Sequence, residues 1–273
     1  MSGISGAGDA PLVLFGAGRM GGALLKAWLA EGSVQNPIII DPQPAPWLED
    51  LAREGHVRLN ETDAVKADLL VLAVKPQFMN DVLPIAAPWV GRKTLVVSVA
   101  AGSTMAQLRA GFGGHDKLVR VMPNTPALVG RGMSVICAGP GANRDDTADI
   151  AALFSAVGKT AEIEDETLMD AVTALSGSGP AYAFLLAEAM AAAGTAQGLP
   201  DDVALELAAA TIAGAGEMMW QGLGPPSELR ENVTSPGGTT AAALEALMAT
   251  PGMKELLADA IAKATARGKE LGS

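Results

Sequence analysis

Between Pro11 and Glu162 the apolar residues come in short, nearly continuous runs: LVLFG, PIIID, DLLVLAVKP, TLVVSVAAG, KLVRVMPN and GMSVICAG. They are rich in Val, Ile and Leu and largely lack the alternation of a strand with one wet face. Strands covered on both sides read this way, which predicts a parallel sheet with helices on each face. Helical periodicity separates the first runs. MGGALLKAWLAEG, closed by Gly32, and APWLEDLAREG, closed by Gly55, are the first two crossover helices. This alternation predicts a doubly wound, Rossmann-type α/β domain over residues 11–162, behind a loose tail of residues 1–10.

From Ile163 the strand pattern stops, and residues 163–273 read as a second, all-helical domain. A helical stretch follows Asp165, interrupted by Gly-Ser-Gly-Pro at 177–180, where Pro180 suits the start of a new helix and not the interior of an old one. PDDVALELAAATIAGAGEMMWQG, the short PPSELRENV, GGTTAAALEALMAT and PGMKELLADAIAKATARGKEL complete the chain. These helices are rich in alanine and poor in bulky residues for a core of their own, so a helical partner from a second subunit is expected.

Composition narrows the possibilities. A formal charge of −11 argues against nucleic acid as a partner, because phosphate binding concentrates Lys and Arg. The single cysteine, Cys137, sits in an apolar run and reads as a buried hydrophobe, and His56 and His115 form no metal-spacing motif. The opening residues lack the basic and apolar regions of a signal peptide, and AYAFLLAEAMAAAG is short for a bilayer span and carries Glu188. A cytoplasmic protein without a membrane partner is expected.

Two segments carry the candidate chemistry. In VLFGAGRMGGAL, Gly16, Gly18 and Gly21 form G-x-G-x-x-G between an expected strand and an expected helix, the setting in which such a loop receives a dinucleotide pyrophosphate. Asp41 closes the second strand, where an acidic residue binds ribose hydroxyls and repels a 2′-phosphate, so NADH is favoured; Arg19 inside the loop is the counterweight toward NADPH. Lys75 and Pro76 end the third apolar run, at a strand terminus where ligands bind in such sheets, and SVAAG ends the next with side chains too small to obstruct a flat ring. The other segment is NVTSPGGTTAAALEAL, residues 232–247. A helix start needs one cap, and this one offers the hydroxyls of Ser235, Thr239 and Thr240 and the unhindered N–H groups of Gly238, Thr239 and Thr240. That is a place for an anion.

GAGRMG, DLLVLAVKPQ, RVMPNTPALVGRGMS, DAVTALSGSGPAYAFLLAEAM and LRENVTSPGGTT together give the chain a resemblance, over nearly its whole length, to the pyrroline-5-carboxylate reductases. The resemblance implies reduction of a cyclic imine, 1-pyrroline-5-carboxylate, to L-proline by hydride from NADPH or NADH. It also implies a homodimer, with dimers associating further into a ring. Under it, Gly16, Ala17, Gly18, Arg19 and Met20 hold the pyrophosphate and Asn60 contacts a ribose. Val74, Lys75, Pro76, Ala100, Ala101 and Gly102 line the nicotinamide side. Asn232, Ser235, Gly238, Thr239 and Thr240 hold the substrate, whose carboxylate meets the helix start while Thr240 reaches the ring nitrogen. Asp41 departs from the small polar or basic residues common there in the family.

The chemistry fits that substrate. Ketone reduction generates an alkoxide and calls for a nearby acid, and neither histidine sits in a motif. A protonated imine accepts hydride at carbon and becomes a neutral amine, so orientation and a proton relay suffice. Thr240 is the expected relay from water, with Lys75 the other candidate donor. The competing readings are a 3-hydroxyacid or 6-phosphogluconate-type dehydrogenase and a non-catalytic dinucleotide-binding dimer. The former needs a catalytic lysine on the helix after the domain junction, where SGSGPAYAFLLAEAM has none.

Overall fold

The computed structural model describes residues 11–272, so the expected tail at 1–10 lies outside the described residues. The chain divides into two compact units, residues up to Gly177 joined by those from Thr265 onward, and Ser178–Ala264. The sequence placed the junction at 162/163. The structure carries the first unit further and returns the end of the last helix to it.

In the first unit, β1 (Leu12–Phe15) leads through a glycine turn into α1 (Arg19–Glu31), which ends at Gly32 in the left-handed conformation. Gly32 donates to Leu29 O and Ser33 to Trp28 O, so the last carbonyls of α1 are satisfied by a Schellman turn. Next come β2 (Ile38–Ile40), α2 (Pro46–Arg53), β3 (Arg58–Leu59), β4 (Leu69–Leu72), α3 (Met79–Ala86), β5 (Leu95–Ser98), α4 (Met105–Gly111) and β6 (Leu118–Met122). Then follow β7 (Gly132–Ala138), α5 (Arg144–Ser155), β8 (Gly158–Ile163) and α6 (Met169–Val172), the last running into a π-helical turn at Thr173–Gly177.

The eight strands form one sheet in the order β3-β2-β1-β4-β5-β6-β7-β8. Its first six strands are parallel. The expectation of a parallel sheet fails at one place, because β7 pairs antiparallel with β6. Only residues 123–131 join them, and a parallel crossover needs a dozen or more. β8 then returns parallel to β7 through α5. Successive residues of each inner strand feed opposite faces. Leu12 and Leu14 pack with Leu24, Trp28 and Phe154 on one side, and Val13 and Phe15 with Met79, Leu83 and Leu108 on the other.

The second unit contains α7 (Gly179–Ala196), with Pro180 in its first turn, then α8 (Asp201–Trp220), α9 (Pro226–Asn232), α10 (Thr239–Leu247) and most of α11 (Met253–Leu271). α7 and α8 pack on each other. Yet α7 has no buried residue and α8 only Ala204 and Ala208, whereas Phe184 is 64% and Leu185 63% exposed. No described helix is long and apolar enough to cross a membrane.

Candidate active site

The glycine loop joins β1 to α1 at the point where the strand order reverses between β1 and β4. Gly16 has φ +87°, and a side chain there would meet Ala73 O at 2.9 Å. A side chain at Gly21 would collide with the Gly16 carbonyl oxygen. Gly18 is different: among the described residues nothing lies within 4 Å of where its Cβ would stand. The described residues set no requirement for glycine there, so the space over Gly18 is open to a ligand. Gly18 also heads α1 with no side-chain cap, which leaves first-turn N–H groups at Arg19 and Met20 ready for an anion. Arg19 is exposed beside them.

Asp41 follows β2 and is turned inward. Its Oδ2 accepts the Ala17 N–H at 2.8 Å and its Oδ1 the Gln43 N–H at 2.9 Å. The Asn60 side chain braces it from β3: Asn60 Oδ1 accepts the Asp41 N–H, and Asn60 Nδ2 donates to the Asp41 carbonyl, both at 2.8 Å. Asn60 adopts φ +54°, the left-handed conformation that asparagine tolerates. The carboxylate expected to await a ribose thus also ties the second strand to the glycine loop. Each of its oxygens keeps a second lone pair for a ligand.

Val74, Lys75 and Pro76 follow β4. Lys75 is exposed and heads the short 3₁₀ turn Pro76–Phe78. Ala100, Ala101 and Gly102 follow β5, where Ala100 is 7% exposed and Gly102 has φ +75°. All these cofactor-side residues therefore stand beyond the carboxyl ends of β1, β2, β4 and β5, with Asn60 just past β3.

The other candidate segment belongs to the second unit. Asn232 ends α9 and is exposed. Ser235-Pro236-Gly237-Gly238 is a turn with proline second and Gly237 at φ +70°, closed by a 3.0 Å bond from the Gly238 N–H to Ser235 O. This corrects one expectation. The Gly238 N–H is used by the turn and is not free for an anion, and α10 starts at Thr239 and not directly after Pro236. Gly238 is its N-cap, and no side chain caps it, so the N–H groups of Thr239 and Thr240 remain available. A side chain at Gly238 would come within 2.5 Å of Ser235 Oγ. Thr240 is half-buried while Ser235 and Thr239 are exposed.

Sequence reasoning missed two polar arrangements of the first unit. Arg120, on β6 and 6% exposed, donates from Nη1 to Glu166 Oε1 at 2.6 Å, and the same oxygen accepts the Met105 N–H at 2.8 Å. A charged residue inside the apolar run KLVRVM was the available signal. Asn124, after β6, accepts the Met133 N–H at 2.9 Å and donates to Ser176 O and Oγ at 3.3 and 3.2 Å, holding the π-helical turn. Cys137 is buried as expected. Burial first, then the Glu166 carboxylate, push its thiol up and favour the protonated form.

Comparison with known proteins finds matches over nearly the whole chain. The family described as pyrroline-5-carboxylate reductase dimerisation matches residues 166–271, and NADP oxidoreductase coenzyme F420-dependent matches residues 11–102. A pyrroline-5-carboxylate reductase of Glycine max is 39% identical over 263 residues, covering 93% of this chain and 95% of that one. The solved reductase of Coxiella burnetii superposes with a TM-score of 0.88 at 30% identity, covering 97% of this chain and all (100%) of that one. The Plasmodium falciparum reductase with NADP bound gives 0.79 at 30% identity, covering 97% and 99%.

Proposed function

The chain belongs to the pyrroline-5-carboxylate reductase family, and from that premise we propose how its own residues carry the reaction. The activity is NAD(P)H-dependent reduction of 1-pyrroline-5-carboxylate to L-proline, the last step of proline synthesis. Gly16 to Met20 take the pyrophosphate: the open space at Gly18 admits it and the uncapped start of α1 binds its charge. Asp41 and Asn60 take the adenosine ribose. Val74 to Pro76 and Ala100 to Gly102 flank the nicotinamide, which when bound supplies the hydride.

The substrate carboxylate sits at the start of α10, on the N–H groups of Thr239 and Thr240 with the Ser235 hydroxyl and Asn232 beside it. Gly238 contributes by having no side chain, which keeps the Ser235 hydroxyl in place. As hydride adds to the imine carbon, the C=N electron pair goes to nitrogen, and Thr240 relays the proton that nitrogen keeps. Lys75 is the alternative donor, and Lys75→Met compared with Thr240→Val assigns the role. The start of α10 carries this reading, because its uncapped N–H groups stand beside the Ser235 hydroxyl, which crowds the space where a side chain at Gly238 would stand, and beside the half-buried Thr240.

The helical unit is the homodimer interface, supported by the exposed apolar side chains of α7 and by the family match at 166–271. Dimers associate further into a ring, and the enzyme works in the cytoplasm. Asp41 makes NADH at least as good a donor as NADPH. Turnover of 1-pyrroline-5-carboxylate with each donor tests the whole reading. Dinucleotide binding without turnover would instead leave a non-catalytic dimer.

A further inference from the structure

Met105, the first residue of α4, directly follows the loop 100–104, whose residues Ala100 to Gly102 are assigned above to the nicotinamide. The loop faces open space on one side. Gly102 and Thr104 border a cavity of ≈ 460 Å³, together with Arg120, Glu166, Asp170 and Lys269. Ala100 and Ser103 are buried, so the open space lies on the side of Gly102 and Thr104. Two further contacts hold the loop there. The end of α11 comes against it: a side chain at Gly272 would lie 3.1 Å from Gly102 O. Where the loop enters α4, the Met105 N–H, an orphan donor at a helix start, is held by Glu166 Oε1 at 2.8 Å.

Glu166 is held in turn. Arg120 donates to the same oxygen at 2.6 Å from a side chain only 7% exposed. Arg120 Nε has no hydrogen-bond partner. A guanidinium this buried depends on its carboxylate, since removing one member of a buried pair leaves an uncompensated charge. The pair fixes one oxygen at the junction of β6, the start of α4 and the segment after β8.

We propose that Glu166 is a positioning residue for hydride transfer: clamped by Arg120, its carboxylate holds the Met105 N–H and so sets the loop 100–104 against the nicotinamide ring. The proposal rests on the assignment of that loop to the nicotinamide. It concerns the ring alone, because the pyrophosphate and adenosine are held at other strand ends.

The test compares NADH with ADP-ribose, which lacks the ring, by equilibrium binding to the full-length protein. Native protein should bind NADH more tightly; equal affinities would remove the nicotinamide assignment itself. Glu166→Ala should weaken NADH by about tenfold or more while ADP-ribose keeps its native affinity. It should also lower kcat and raise the primary isotope effect measured with deuterated NADH, as hydride transfer becomes limiting. Glu166→Gln, whose carbonyl oxygen can still accept the Met105 N–H, should restore most of the NADH preference. Should Glu166→Ala fail to fold with Arg120 left unpaired, Glu166→Ala combined with Arg120→Met removes the buried charge and should show the same selective loss. Native ratios of the two affinities with native kcat in a folded alanine variant, or equal weakening of both ligands, would overturn the proposal.

Discussion

The two units of this chain keep their apolar residues in opposite ways. In the first, Leu14, Ile39, Val71 and Val97 are all 0% exposed, on strands sheathed by helices on both faces. In the second, α7 buries nothing, and Phe184 and Leu185 are more exposed than covered. Similar helix-forming sequence thus serves two ends. α1 covers a sheet of its own chain, whereas α7 presents a surface suited to another. The candidate sites follow the same division. The glycine loop is braced by Asp41 and Asn60 of its own unit, while the candidate anion site of the second unit is a bare helix start after a proline–glycine turn.

The largest effect should come from spoiling the exposed face. Burial of a Phe or Leu side chain is worth about 1.5–3 kcal/mol, and a two-fold interface counts each twice. Phe184→Glu with Leu185→Glu is expected to give a monomer at micromolar concentration in sedimentation, with dinucleotide binding by the first unit intact. A variant that stays dimeric would break the comparison, since the exposed residues would then not be the ones that associate.

Next come two glycines of the first unit. Gly21→Val should lower the melting temperature and lose dinucleotide together, because the side chain strikes Gly16 O. Gly18→Val should leave melting nearly native and, on the proposed reading, weaken dinucleotide by about tenfold to a hundredfold, since no described residue fills that space. Equal melting losses would mean that Gly18 serves the fold alone.

Asp41→Ser should move the ratio of kcat/KM for NADPH over NADH upward by about tenfold, through loss of charge repulsion and of ribose hydrogen bonds. The structure adds a stability loss to this expectation, because the serine cannot span to both Ala17 and Gln43 as the carboxylate does. A native preference for NADPH that the substitution leaves unchanged would remove Asp41 from cofactor choice. The smallest change is expected from Gly238→Ala, which displaces the Ser235 hydroxyl and should raise KM for the imine several-fold without touching dinucleotide affinity. Loss of both would contradict the separation of the two sites.

Six strands were legible because a run buried on both faces has few polar positions to confuse it. β3 has only two residues, and β8 is half-exposed along its length, so neither offered such a run. The reversal at β7 was encoded in the shortness of residues 123–131, a constraint on chain length that hydrophobic pattern does not express. The glycine loop and the start of α10 stood out as candidate anion sites because glycine and hydroxyl residues advertise open backbone. That the Gly238 N–H closes a turn was not, since the same residues can either donate to a ligand or fold upon themselves. The Arg120–Glu166 pair joins positions 46 apart in sequence, and only the lone charge in a strand hinted at it.

The inward turn of Asp41 bears on how such a protein changes over generations. On the proposed reading one carboxylate both selects the donor and fastens the glycine loop, so substitutions there are pleiotropic. A lineage drifting from one donor to the other gains specificity and loses rigidity in a single mutational step. The accessible route runs through a prior change that gives the Ala17 N–H a different acceptor, after which position 41 is free to vary. Order, as well as identity, then constrains the path.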